Sequence, residues 1–252
     1  MKLVLCLFLI CGWTFGSAEG MPRVEVRING EGPFRFAVDT GAGSTLITTR
    51  LAAALRLKPD YRVELVTTSG SRLVPATART LVSVPGAQAP NVEVLWCDWA
   101  LPEGVDGILG QSFLAGQSYR IDTRAGLVTF GESSTPRLNS LPVEWIDGRM
   151  AVRAKAPGGR TLRLIVDSGA SDIVLWPKRP IPMTEVGLAL ASSHTGNSPA
   201  RLARIAWLQI GFVRLNQPTA GVLPGSRPED GLLATRHFSQ VYVQGDHVAF
   251  ER

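Results

Sequence analysis

Val24–Ala42 reads VEVRINGEGPFRFAVDTGA, and Val152–Ala170 reads VRAKAPGGRTLRLIVDSGA. Laid over each other without a gap, at an offset of 128, the two stretches agree at seven of 19 positions. The identities crowd toward the end, where Val38-Asp39-Thr40-Gly41-Ala42 faces Val166-Asp167-Ser168-Gly169-Ala170. Asn29-Gly30 in the first copy and Pro157-Gly158-Gly159 in the second are hairpin signals between strand-like runs. A second pair follows at an offset of 124: Asp106–Gly110 (DGILG) and Asp230–Ala234 (DGLLA). Behind each comes a short segment with helix-forming and aromatic residues. A closing strand region then follows, Tyr119–Phe130 and Val241–Phe250, with turns at Arg124-Ala125-Gly126 and Gly245-Asp246.

Two matched segments in one order, at nearly one offset, indicate an internal duplication. The copies run over 21–131 and 143–252, and the polar, proline-bearing stretch 132–142 (ESSTPRLNSLP) is a linker. Runs are short and turns frequent, with 26 Gly and 17 Pro in 252 residues, so the class is all-β with one short helix in each half. With 45% apolar and 19% charged residues the chain can bury a sizeable core. The net charge of +5 is scattered. No basic run suits a nucleic acid or an anionic membrane surface.

The chemistry sits where the copies agree best. A carboxylate at the end of an apolar run is costly unless it is hydrogen-bonded or functional. The glycine that follows lets the backbone turn close to that carboxylate, and the Thr40 or Ser168 hydroxyl can bond to backbone and lock the loop. One such loop also reads as an ordinary Asx-turn. Two loops related by a duplication are far more specific, because pseudo-twofold packing of the halves brings two carboxylates face to face.

With these residues the chain resembles the aspartic proteases, and most closely the bacterial retropepsin-like aspartyl proteases, as two fused lobes in a pepsin-like arrangement. AVDTGAGS (Ala37–Ser44) with DGILG carries the likeness in the first lobe, and IVDSGAS (Ile165–Ser171) with DGLLA in the second. The resemblance implies two β-barrel lobes with a cleft between them. It implies Asp39 and Asp167 as the catalytic pair, and active-site loops supported by Thr40, Gly41, Ser168, Gly169, Gly107 and Gly231. Ala234 stands where the family pattern has glycine, which puts the support of Asp167 in question. The implied reaction is hydrolysis of a polypeptide by water activated between two carboxyls that share one proton, with no cofactor and no metal. A lid is implied as well. Thr68, Ser69 and Gly70 fall at one hairpin tip, and Thr195 and Gly196 at a second, which reads equally as a surface turn. The rival reading is a peptide-binding or scaffold protein that keeps the cleft without turnover.

Other motifs give little. His194, His237 and His247 lack metal-ligand spacing, no Gly-x-Ser-x-Gly elbow is present, and Gly41-Ala42-Gly43-Ser44 lacks the lysine of a phosphate loop. Trp96, Trp99, Trp145, Trp176 and Trp207 are expected in packing roles. Cys6 and Cys11 lie in the leader, and Cys97, flanked by tryptophans, reads as an inert buried thiol. A monomer with one cleft between its lobes and a pairing of chains are both compatible with the sequence.

Lys2, the apolar run Leu3–Trp13 and the small residues Gly16-Ser17-Ala18 form a signal peptide over 1–18, so the protein is expected in the periplasm or secreted, without a membrane anchor after cleavage. Met21 is an alternative start for a cytosolic chain. N-terminal sequencing of the protein from its native host should begin near Glu19. An intact Met1, or a cytosolic chain starting at Met21, would contradict export.

Overall fold

A computed structural model describes residues 3–5, 10–12, 21–67, 70–98, 101, 103–131, 139–193 and 196–252. The expected tip residues Thr68, Ser69 and Thr195, most of the linker, and Trp99 and His194 lie outside them.

Each copy begins with a hairpin. Arg23–Ile28 pairs with Glu31–Val38, and Arg149–Ala156 with Arg160–Asp167, both antiparallel. The turns fall where the sequence places them. Asn29 and Gly30 have φ of 51° and 85°, and Gly158 and Gly159 have 73° and 68°, the left-handed values that these turn residues adopt at low cost. The inner strand of each hairpin alternates at its start and becomes buried on both faces as it nears the aspartate. A strand of that kind reads as a continuous apolar run, as Phe36-Ala37-Val38 and Leu164-Ile165-Val166 do.

The second motif fills the middle of each lobe. Gly107–Leu109 lies parallel to Glu31–Val38 on one side and antiparallel to Thr45–Thr48 on the other. Gly231–Ala234 lies in the same way between Arg160–Asp167 and Ile173–Leu175. In the first lobe, Ser71–Val84, Ala87–Cys97, Thr45–Thr48, Gly107–Leu109, Glu31–Val38 and Arg23–Ile28 follow one another, and the last pairs back to the first, closing a six-stranded barrel. In the second lobe the order corresponds, and the closing pair is made by Trp207–Ile210, which follows Gly196–Ile205 after one residue and pairs antiparallel with Arg149–Ala156.

The closing strands do not stay within their own halves. Tyr119–Asp122 pairs antiparallel with Gln240–Gln244, so the terminal hairpins of both halves lie side by side in one sheet. Leu141–Pro142 adds a short strand on its edge, against His247–Val248. Beneath this shared sheet one apolar cluster draws on both lobes, including Phe36, Phe113, Phe130, Val152, Leu164, Phe238 and Phe250. The two lobes are therefore tied at their base by backbone hydrogen bonds and a common core.

Helix is scarce and unequally shared. Thr49–Ala54 is capped by Thr48, whose hydroxyl accepts from the Leu51 N–H. The positions 128 residues on read Pro177-Lys178-Arg179-Pro180-Ile181-Pro182, and prolines at that density do not sustain a helix. The segment after each Asp-Gly-x-Leu motif is helical in both halves, an α-turn at Gln111–Leu114 and a single 3-10 turn at Thr235–His237. Near the N-terminus, Leu3–Leu5 runs parallel to Glu64–Val66, and Ile10–Gly12 antiparallel to Leu190–Ser192. Among the described residues no helix is long and apolar enough to cross a membrane.

Close approach, not backbone angle, fixes the two motif glycines. A Cβ on Gly107 would meet the Phe36 ring at 2.6 Å and the Leu46 carbonyl oxygen at 2.8 Å, and one on Gly231 would collide with the Val174 carbonyl oxygen. Gly231→Ala should cost about 1–3 kcal/mol of stability through this overpacking, read as a lower urea midpoint. An unchanged midpoint would show that the strand can shift freely.

Candidate active site

Asp39 and Asp167 end their strands at matching places and are held in the same way. Asp39 Oδ1 accepts from the Gly41 N–H at 2.8 Å and the Ala42 N–H at 3.1 Å. Asp167 Oδ1 accepts from Gly169 N–H at 2.8 Å and Ala170 N–H at 2.9 Å. Both side chains are fully buried. A short turn that folds back on its own carboxylate is what Asp-Thr/Ser-Gly offers, because the glycine lets the chain pass close by.

The hydroxyls between them bind the two loops to each other. The Thr40 N–H donates to Ser168 Oγ at 3.0 Å, and the Ser168 N–H donates to Thr40 Oγ1 at 3.0 Å. Each hydroxyl then donates across the interface, Thr40 to the Val166 carbonyl and Ser168 to the Val38 carbonyl, both at 2.7 Å. Four bonds related by a pseudo-twofold axis thus span the lobes in a buried setting. Removing either hydroxyl would orphan a buried N–H and a buried carbonyl, at about 1–3 kcal/mol for each group.

The cross-link sets the two carboxyls against each other. They lie within hydrogen-bonding reach, while Oδ2 of each has no other partner among the described residues. A Cβ added to Gly41 would land on the Asp167 carboxyl, and one added to Gly169 on that of Asp39. Each carboxyl therefore rests on the glycine of the opposite loop. Burial, then the neighbouring Asp167, pushes Asp39 well above the ordinary carboxylate range. Burial raises Asp167 as well, to about 6, held back by the Gly169 and Ala170 N–H groups, by the bond from Asp39 and by Arg149. The site thus accommodates one shared proton at neutral pH.

A second tier supports the loops. Gln111, not singled out in the sequence, donates from Nε2 to the Thr40 carbonyl at 2.8 Å, and its N–H donates to the Ala42 carbonyl at 2.8 Å. Its only sequence signal is its place directly after Gly110. The second lobe has Thr235 at that position, also buried. The departure at Ala234 does no visible harm, since Asp167 makes the same pair of bonds as Asp39. A methyl at Gly110 would strike the Ser44 carbonyl, whereas Ala234 is accommodated and fully buried.

Comparison with known proteins follows the duplication. A family model described as Aspartyl protease matches residues 24–113 and 152–236, which together make up more than half of the chain. The chain belongs to the aspartyl protease family. Among solved structures, it is similar to an aspartic proteinase from Irpex lacteus at 12% identity, over 92% of this chain and 96% of that one, with a TM-score of 0.52. It also matches a retropepsin-like aspartic protease from Rickettsia conorii at 18% identity, over 44% of this chain and 89% of that one, with a TM-score of 0.33. No curated protein sequence matches it.

In this aspartyl protease both expected tips belong to long hairpins. Tyr61–Val66 pairs with Ser71–Val84, and the Thr67 N–H donates to the Gly70 carbonyl at 2.8 Å across the turn. Met183–Ser193 pairs with Gly196–Ile205, and Ser193 faces Gly196 at the turn. The first hairpin leans over the other lobe. Val66 packs on the cluster holding Ala170 and Trp176, and Arg227 donates from Nη2 to the Thr67 carbonyl at 3.1 Å. Trp96 and Trp176 are buried, Trp207 stacks under Arg214 at 4.7 Å, and Trp145 is 44% exposed, so packing describes them unevenly. His237 and His247 pair with Asp172 and Asp246. Burial raises the Cys97 thiol to about 11, in keeping with an inert role. Among the described residues no group of three or more His, Cys, Asp or Glu side chains could hold a metal.

Raised carboxyl pKa values carry a stability cost of definite sign. Below the ordinary value of 3.8 both folded and unfolded states bind the proton, and Asp167 costs nothing. As pH rises toward about 6 the unfolded chain ionises first, and stability falls by on the order of 3 kcal/mol for that group. Asp39→Asn and Asp167→Asn should therefore each raise the Tm at neutral pH and leave it nearly unchanged near pH ~4. A Tm lowered by both substitutions at neutral pH would contradict the buried-pair electrostatics.

Proposed function

We propose that this protein is an aspartic endopeptidase that hydrolyses polypeptides with Asp39 and Asp167 as its catalytic dyad. One observation carries the reading: two fully buried carboxyls within hydrogen-bonding reach, on loops locked together by Thr40 and Ser168. Like charges at that separation resist joint ionisation, so the pair holds one proton and offers a base and an acid side by side. The ionised carboxyl takes a proton from water as the water oxygen adds to the scissile carbonyl carbon, and the protonated carboxyl gives its proton to the carbonyl oxygen. The tetrahedral diol then collapses. The now ionised carboxyl takes a hydroxyl proton as the carbonyl re-forms, the other gives the proton it took from water to the amide nitrogen, the C–N bond breaks, and the amine leaves with the pair again holding one proton. No covalent acyl-enzyme forms. The outer edge of Tyr61–Val66, which Leu3–Leu5 of the leader pairs with, suits an extended peptide once the leader is cleaved away. The Lys2 and Leu3–Trp13 pattern supports action outside the cytoplasm.

Asp39→Asn and Asp167→Asn should each lower kcat by at least about 10²–10⁴, with the fold retained by circular dichroism. The pH–rate profile of the parent should be bell-shaped: protonation of the base closes the acid side, and loss of the shared proton closes the alkaline side. A statine-type inhibitor should compete with substrate, and chelators should leave the rate unchanged. Near-parental turnover in either folded Asn variant, or a rate that rises to an alkaline plateau, would overturn the dyad.

A further inference from the structure

The duplication makes the two lobes a built-in comparison, and they differ beside the two aspartates. In the first hairpin Arg23 faces Ala37 and the Val38 N–H donates to the Pro22 carbonyl, so two further steps along the ladder set Met21 opposite Asp39. In the second, Ala151 faces Ile165, and the same two steps set Arg149 opposite Asp167. The partner position, just before each Asp-Gly-x-Leu motif, is Val105 in the first lobe and Glu229 in the second. Met21 and Val105 pack in an apolar cluster with Ala37, Ala42 and Ile108. Arg149 and Glu229 are both fully buried and joined by Nη2–Oε2 at 3.1 Å. An apolar contact beside one aspartate is thus an ion pair beside the other.

Arg149 Nε and Nη1, and Glu229 Oε1 opposite them, have no hydrogen-bond partner among the described residues. Arg227, from the same loop as Glu229, adds a second cation, half-buried with its guanidinium 5.6 Å above the Trp176 ring. Two arginines therefore share one buried carboxylate on the Asp167 side. The other charged groups around Asp167 are engaged elsewhere. Asp172 meets His237 at 3.4 Å, Asp230 meets Lys178 and Arg163, and Arg236 donates to the Ser171 carbonyl. Asp39, from the opposite loop, is the carboxyl hydrogen-bonded to Asp167.

We infer that Arg149, held by Glu229, is a positioning residue that breaks the symmetry of the dyad, making Asp167 the ionised member and leaving the proton on Asp39. This rests on the proposed dyad and assigns its roles: Asp167 takes the proton from water, and Asp39 protonates the substrate carbonyl. Arg149 acts through Asp167 and touches no substrate. The direction of its electrostatic effect on Asp167 agrees, and among the described residues the main influences on Asp39 include no cation.

The test is the acid limb of the kcat/KM–pH profile in the full-length protein. Arg149→Met with Glu229→Val installs the first-lobe pair. An exchange of a buried ion pair for apolar residues is tolerated far better than the loss of one partner. Its acid limb should move up by about one pH unit, because an opposite charge nearby lowers a carboxyl by about 1–3 units. Glu229→Gln keeps the cation and removes the anion, so its limb should move down. Arg149→Lys should restore the parental limb. A purely structural role would lower kcat without moving the limb in opposite directions. An unmoved limb, or shifts of one sign, in variants that fold overturns the inference while a parental bell-shaped profile leaves the dyad standing. If the double variant fails to fold, the downward shift in Glu229→Gln decides. A parent without a bell-shaped profile overturns the dyad itself.

Discussion

Two carboxyl groups buried face to face set the terms for the rest of this molecule. Neither can be fully charged without the other giving way, and neither can be dry without hydrogen bonds. The backbone turns at Gly41-Ala42 and Gly169-Ala170 provide those bonds. The Thr40–Ser168 exchange holds the turns together, and the glycine of each turn leaves room for the other carboxyl. Outward from there, Gly107 and Gly231 let a third strand press against each aspartate strand, and the shared terminal sheet keeps the lobes from parting. The site is unfavourable in isolation and persists because both lobes over-determine it.

The duplication explains why so much of this was legible in the sequence. Asp39 and Asp167, their hydroxyl and glycine neighbours, the hairpin turns and the Asp-Gly-x-Leu strands are local signals, each repeated. Asp106 and Asp230 serve one structural purpose in both halves, accepting from the backbone N–H of Arg35 and Arg163 at 2.8 and 2.9 Å. A motif that serves the same contact twice leaves a mark at a fixed offset.

What was not legible is non-local or contrary to type. The closing strands look like private property of each half, and nothing local in Tyr119–Asp122 or Gln240–Gln244 announces that they pair with each other. Arg149 follows Asp147-Gly148, and Glu229 sits in the polar run Arg227-Pro228-Glu229-Asp230, so both resemble solvated turn charges. Charged residues of these types are almost never fully buried unless paired, and the pairing spans 80 residues. Gln111 is equally quiet, a polar helix-start residue whose role appears only when Thr40 is beside it. The prolines at 177, 180 and 182, by contrast, do explain why the second lobe lacks a counterpart of the Thr49–Ala54 helix.

The central claim is that these two carboxyls hold one proton between them across neutral pH. The most direct measurement is carboxyl ¹³C NMR of the full chain, titrated from about pH 3 to about pH 9, with the two signals assigned by Asp39→Asn and Asp167→Asn. The account predicts two signals that titrate together, one ionising near pH ~6 and the other keeping its proton well above that. Two carboxyls ionising independently near the ordinary value of 3.8 would contradict it.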